Sequence, residues 1–281
     1  MIRLAYLKIE QVNSIDQLSN ERAREVLRFF NPKLFGNGRG GGFEISSISD
    51  LPCGSGLGSS GSYLVGLINL LQHISKYKWS KKKLADLACH IEMNILNEPV
   101  GKQDQFIAAY GGTTTFNIDR YGDIMAEKLN IEHPKEFICN NRVYYTGVQR
   151  NASDILKAQK NDMGNFRSRM AKIQELGYLS VDAIKHGDYD KYGQLLDQHW
   201  QEKRLLNTNM TTSVVDKIYG TLLKDGYILG GKMIGAGGGG FLLVYSHKNH
   251  EYVDRHMQQN GLIKLEYEIS AKGSEIVYDD E

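Results

Sequence analysis

Glycine, serine and a few charged residues gather in short runs of this 281-residue chain, and one run has the makings of an anion cradle. Residues 54–61 read Gly-Ser-Gly-Leu-Gly-Ser-Ser-Gly. Upstream, Phe43 to Ile48 alternates like a strand and ends at Asp50-Leu51-Pro52. Downstream, Leu64, Leu67, Ile68, Leu71 and Ile74 recur at helical spacing. A strand, a glycine-rich loop and a helix can lay backbone N–H groups around an anion, and the helix N-terminus adds partial positive charge. Ser59 or Ser60 is expected to cap that helix. A second glycine-rich window, 230–240, includes the loop 235–240, which lies between the strand-like segments Tyr227–Ile234 and Phe241–Tyr245. A tight turn needing positive φ explains one or two of its glycines, but not four in a row. The run at 36–42 reads as a plain surface loop.

Two familiar cradles are excluded or weakened by what surrounds these loops. The P-loop pattern GxxxxGK[ST] is absent. Gly56–Gly61 and Gly235–Gly240 both fit GxGxxG, but a dinucleotide-binding unit needs a second strand ending in an acid about 20 residues on. Here a second helix follows instead, capped by Ser80, with Leu84, Leu87, Ala88, Ile91 and Ile95 on its apolar face. A Rossmann oxidoreductase is therefore a minor rival.

The elements that hold these loops belong to a chain of globular composition, 41% hydrophobic and 24% charged, long enough for two domains. Its 34 Lys+Arg against 33 Asp+Glu give a net charge of +1, so no field recommends nucleic acid or an acidic membrane as partner. Cys53, Cys89 and Cys139 have neither disulfide nor zinc spacing, which suits reduced thiols in a cytoplasmic setting. The start alternates like a strand over Arg3–Glu10 and has no signal-peptide h-region, and the glycine-rich stretch 228–245 is a poor membrane span. His133, His186, His199 and His247 lack metal-ligand spacing and read as structural or surface residues.

Three motifs together resemble a known family. Pro52 to Gly61 is similar to the P-x3-GLGSS[AG] phosphate motif of the GHMP kinases, which include galactokinase, homoserine kinase and mevalonate kinase. Gly235 to Phe241 resembles that family's C-terminal glycine motif, and Gly101-Lys102-Gln103-Asp104-Gln105 its GxxDQ stretch. Residues 101–112, Tyr145 to Ser153, and Trp200 to Arg204 with GGKMIGAGGGGFLL resemble the branch acting on D-glycero-D-manno-heptose 7-phosphate; fucose-type kinases share parts of this pattern. The family's N-terminal first motif has no match in residues 1–51, which leaves a late start, a fragment or a degenerate kinase as alternatives.

The resemblance implies an α+β, two-domain GHMP kinase fold. Residues 1–149 would form an ATP-binding domain like domain 2 of ribosomal protein S5, and residues 150–281 a ferredoxin-like domain with helices 165–187, 189–205 and 212–225 and strands at 228–245 and 262–269. It further implies that Pro52, Gly54, Ser55, Gly56, Leu57, Gly58, Ser59 and Ser60 wrap the ATP phosphates, and that Gly237 and Gly238 close over them. Ser60 and Glu92 would hold Mg²⁺, an ion that favours hard oxygen ligands; the plain alternative for Glu92 is a solvated helix glutamate. Asp104 would orient the acceptor hydroxyl and take its proton, with Lys102 offsetting phosphate charge. Gln105 and Arg150 would contact the sugar substrate, Arg150 gripping a phosphate bidentately. The implied activity is ATP-dependent, Mg²⁺-assisted phosphorylation of a sugar hydroxyl, best matched by the anomeric hydroxyl of heptose 7-phosphate on the way to nucleotide-activated heptose. Another GHMP acceptor (fucose, galactose or mevalonate type) and a nucleotide-binding relative without activity are the rivals.

Overall fold

The alternating N-terminus folds into a hairpin rather than one strand. β1 (Ile2–Ala5) turns back through Tyr6, whose N–H donates to the Lys8 carbonyl at 2.8 Å, into antiparallel β2 (Ile9–Val12). The expected strand Arg3–Glu10 is thus split, because period-two alternation carries no mark of where a chain reverses. β3 (Phe43–Ser46) joins the other edge of β1 in parallel, with Leu4 opposite Ile45. The computed structural model describes residues 1–35, 42–51, 56–148, 163–206, 210–235 and 237–280.

The described residues cluster in two units. Met1–Cys53, Gly58–Gly111 and Lys272–Glu281 make the first; Gly54–Leu57 and Gly112–Ala271 make the second. In the first unit, α2 (Ser59–Ile74) packs against α1 (Glu21–Phe35), α3 (Lys81–Cys89) and α4 (Gln103–Tyr110). The apolar spacing seen in the sequence becomes core: Leu64, Ile68, Leu71, Leu84, Ala88 and Ile91 are buried, each large side chain contributing about 1.5–3 kcal/mol. Ser80 caps α3 by accepting from Lys83 N–H at 3.2 Å. The helix does not continue regularly to Ile95. It widens into a π turn over His90–Ile95, where Leu96 N–H reaches back to the Ile91 carbonyl at 2.9 Å.

The second unit begins with the hairpin β4 (Thr114–Ile118) and β5 (Ile124–Lys128). Its four-stranded antiparallel sheet runs β7 (Gly230–Met233), β8 (Phe241–Tyr245), β6 (Asn141–Tyr145), β9 (Ile263–Leu265). The helices are α5 (Pro134–Asn140), α6 (Met163–Lys185), α7 (Tyr189–Arg204), α8 (Ser213–Lys224) and α9 (His250–Gln259). Tyr144, Trp200, Leu222, Met233 and Leu242 form its core. Residues 112–148, expected with the first domain, cluster in the second unit because β6 is bonded to both β8 and β9. The strand expected at 262–269 is only three residues long.

Candidate active site

In the first unit the chemistry centres on the meeting of α2 and α4. The N-cap of α2 is Gly58, in the left-handed region at φ 71°, so Ser59 and Ser60 are the first helical residues. The expected serine cap is therefore replaced by a glycine turn, and no side chain caps the helix. The reason is space. A Cβ on Gly58 would lie 3.1 Å from Cγ of Asp104, and one on Gly61 would lie 3.0 Å from the Asp104 carbonyl carbon and the Gln105 nitrogen. Two glycines of the loop thus let the start of α4 seat Asp104 against the first turn of α2. Burial raises the Asp104 pKa first, the nearby negative charge of Glu92 adds to that rise, and a hydrogen bond from Gln103 opposes it.

Behind Asp104 lies a closed network. Glu92 sits in the π turn and is fully buried. Its Oε1 accepts from Arg22 Nε at 3.2 Å and from the Arg22 terminal nitrogen at 3.0 Å, and its Oε2 accepts from Gln105 Nε2 at 2.6 Å. Gln105 is buried too, and its own Oε1 has no partner among the described residues. So the plain alternative of a solvated glutamate does not hold, and Gln105 faces Glu92. Oxygen chemistry at Glu92 and Ser60 suits magnesium. The arrangement does not: Arg22 already neutralises the Glu92 carboxylate, both of whose oxygens are engaged. The residues as placed do not fit a metal ion at Glu92. Among the described residues, no group of three or more His, Cys, Asp or Glu could hold one either. Lys102 precedes α4 at its N-cap, and its carbonyl accepts from Phe106 N–H at 3.2 Å.

In the second unit, the C-terminal glycine loop is tightly framed by main chain. Gly235, Gly237, Gly238, Gly239 and Gly240 all have positive φ. A Cβ on Gly237 would fall 2.7 Å from the Met210 sulfur, and Gly238 N–H donates to the Met210 carbonyl at 2.7 Å. Turn geometry and close approach therefore account for the consecutive glycines, contrary to the expectation that a turn explains only one or two. Gly235 also abuts Gly56: a Cβ there would lie 2.7 Å from the Gly56 carbonyl oxygen. The two glycine motifs do meet, at Gly56 and Gly235, inside one unit.

Beside that contact stands a group of residues the motif reading passed over. Gly230 lets β7 approach α7 closely, since a Cβ there would fall 2.7 Å from the Asp197 nitrogen. This brings Lys232 of β7 to His199 and Lys203 of α7. Lys203 Nζ donates to the Gly235 carbonyl at 2.5 Å. Burial pulls the Lys203 ammonium down to about 8, and burial plus the charge of Lys203 pulls Lys232 down to about 7. Burial, then both lysines, pushes the His199 imidazole down to about 3. His199, read as structural or surface, keeps a buried Nδ1 with no partner. The available signal was His199 and Lys203 at i, i+4 on one helix face. Pro52, Gly54, Ser55 and Arg150 lie outside the described residues.

Residues 21–112 match the N-terminal domain of the GHMP kinases and residues 180–256 their C-terminal domain, together more than half of the chain. The chain belongs to the GHMP kinase family. This GHMP kinase is 27% identical over 214 residues to a D-glycero-alpha-D-manno-heptose 7-phosphate kinase of Campylobacter jejuni, across 75% of this chain and 63% of that one. It thus spans less than two thirds of that relative's length. It is 26% identical to the galactokinase of Thermotoga maritima, across 81% of this chain and 74% of that one. Its fold matches a D-glycero-D-manno-heptose 1-phosphate kinase of Bacteroides thetaiotaomicron with a TM-score of 0.70 at 20% identity, covering 97% of this chain and 81% of that one. The fold is accordingly the α+β, two-domain fold of GHMP kinases. No helix among the described residues is long and apolar enough to cross a membrane.

Proposed function

We propose that this GHMP kinase transfers the γ-phosphoryl group of ATP to a hydroxyl of a sugar phosphate, with the anomeric hydroxyl of heptose 7-phosphate as acceptor. The observation that carries this reading is the seating of Asp104 against the glycine-started first turn of α2. A carboxylate beside a cluster of helix N–H groups is where an attacking hydroxyl and a phosphoryl oxyanion need help at the same time. In this reading ATP arrives as its magnesium complex, as substrate. Gly58, Ser59 and Ser60, at the start of α2, supply main-chain donors to its phosphates. The acceptor oxygen bonds to the γ-phosphorus, its proton passes to Asp104, the β–γ bridging P–O bond breaks, and ADP leaves. Partial burial suits Asp104 to this, because a carboxylate with a raised pKa is a stronger base. The division into an ATP-binding domain at 1–149 and a second domain at 150–281, and a cytoplasmic setting, belong to the same proposal. So does Arg150 as a sugar-phosphate ligand.

The choice of acceptor is supported by the name of the Campylobacter jejuni relative and by the branch-like segments. The test is ADP release with heptose 7-phosphate beside fucose, galactose and mevalonate, with the product's phosphate located by NMR. Turnover confined to heptose 7-phosphate is expected; turnover on another of these acceptors reassigns the substrate. One observation favours a second reading, nucleotide binding without transfer: the Glu92 carboxylate is already paired with Arg22. That reading predicts ATP binding with no ADP release on any acceptor.

A further inference from the structure

The second unit holds positive charge that no carboxylate among its described residues neutralises. Lys203 and Lys232 are partly buried, and neither has a carboxylate within ion-pair distance among the described residues. The carboxylates nearest along α7 are committed elsewhere. Glu202 pairs with Arg169 at 2.9 Å and Lys172 at 3.3 Å. Asp197 accepts from Tyr219 at 2.7 Å and from Gln201 at 3.0 Å. Lys203 makes its polar contact with the Gly235 carbonyl at the glycine loop itself. The His199 Nδ1 beside them is buried and unmet.

Such a cluster is costly as it stands. A buried ammonium without a counter-charge destabilises the fold, and proteins keep one where something else supplies the charge. Burial lowers the pKa of both lysines, the direction such a cost requires. Two ammonium groups close enough for the charge of one to act on the other call for a ligand with about two negative charges and several acceptor oxygens, which is what a phosphate monoester offers. The geometry points to Lys203, Lys232 and His199 as a phosphate-binding site, built by the close approach of α7 to β7 and opening beside Gly235. This rests on, and deepens, the kinase reading: a sugar phosphate carries a phosphate that is not transferred and needs a cationic partner of its own. The nucleotide's phosphates are the other source of the same chemistry.

The test separates these sources and separates the site from the kinase reading. Binding of inorganic phosphate, heptose 7-phosphate, unphosphorylated heptose and ATP is measured by calorimetry on wild type, Lys232→Met, Lys203→Met and the charge-keeping Lys232→Arg. The wild type is expected to bind inorganic phosphate and to prefer heptose 7-phosphate over the unphosphorylated sugar. Each methionine variant is expected to weaken phosphate binding by about 10- to 100-fold, the worth of a charge-assisted hydrogen bond, and Lys232→Arg to recover most of it. Loss confined to heptose 7-phosphate assigns the site to the acceptor; loss confined to ATP assigns it to the nucleotide. In anion-free buffer both methionine variants are expected to melt at or above the wild-type temperature, as removal of an uncompensated charge requires. A lowered melting temperature in Lys203→Met, with Lys203→Gln behaving alike, would mean that the charge is structural and overturns the site. Unchanged binding of every ligand in both methionine variants overturns it too. Binding is read without turnover, so an inactive protein whose phosphate affinity still depends on Lys232 sinks the kinase reading and leaves the site standing. Normal turnover with unaffected binding does the reverse.

Discussion

Two buried polar clusters in this protein are built on opposite principles. Around Glu92 the negative charge is answered inside the fold: Arg22 and Gln105 occupy both carboxylate oxygens. Around Lys232 the positive charge is left open, with Lys203 beside it and the His199 Nδ1 unmet. A closed network holds an element in place, and here it fixes the π turn against α1 and backs the start of α4. An open one waits for a charge from outside. In the proposed reading the first cluster holds the start of α4, with Asp104, in place, and the second is where a ligand would bind.

The comparison breaks most visibly at Arg22. Replacing Arg22 with Met strips Glu92 of its one ion-pair partner among the described residues while the carboxylate stays fully buried. Denaturant melts should show a loss of about 3–5 kcal/mol, as for other broken buried pairs. A loss below about 1 kcal/mol would mean that water or another group already answers Glu92, and that the two clusters do not differ as described.

A smaller loss is expected at the seam between the α2 start and Asp104. Gly58→Ala forces a Cβ onto a left-handed residue and toward Asp104, and should cost about 1–2 kcal/mol. The same change should lower kcat more than it lowers stability, since it displaces Asp104. An alanine variant with unchanged kcat would show that the seating of Asp104 is incidental.

The smallest expected effect is a pH dependence of stability peculiar to the open cluster. Lys232 and Lys203 have folded values near 7 and 8, below the unfolded value of about 10.4, so between those limits the unfolded chain binds more protons. Stability must then rise with pH across that window. His199, held near 3 when folded, adds a rise of the same sign between about 3 and 6.5. Among the described residues, the charged groups that act on this cluster are those three, and Asp197 on the same helix accepts from Tyr219 of α8. In anion-free buffer the melting temperature should climb by at least about 2–4 °C from pH 7 to 9, the equivalent of about 1 kcal/mol. Lys232→Met should flatten that climb. A fall with pH, or no change on substitution, contradicts the assignment of an uncompensated cluster.

How much of this could be read beforehand depended on whether the signal was local. Ser80 announced its cap, and Leu64, Ile68 and Leu71 announced a buried helix face, because both are matters of spacing along one element. Asp104 could be picked out by motif, but not its partners: Gly58 as the cap in place of Ser59 follows from the space Asp104 takes, which only packing reveals. The π turn at Glu92 has no sequence mark, since helix and π turn share the same apolar face. The reversal at Tyr6–Lys8 lacks glycine or proline to signal it. Lys232 and His199 lie 33 positions apart and come together where Gly230 lets strand and helix touch.

The central claim is that Asp104 takes the proton of a sugar hydroxyl as it attacks ATP. The most direct measurement is single-turnover transfer to heptose 7-phosphate by wild type and Asp104→Asn, each checked for ATP binding. The account predicts that Asp104→Asn binds ATP within a factor of about two and loses about 10²- to 10⁴-fold in the transfer rate, the usual worth of a general base. It also predicts that the wild-type rate falls on the acid side at a pH above the ordinary aspartate range, since burial raises Asp104. Full transfer by Asp104→Asn would contradict the account.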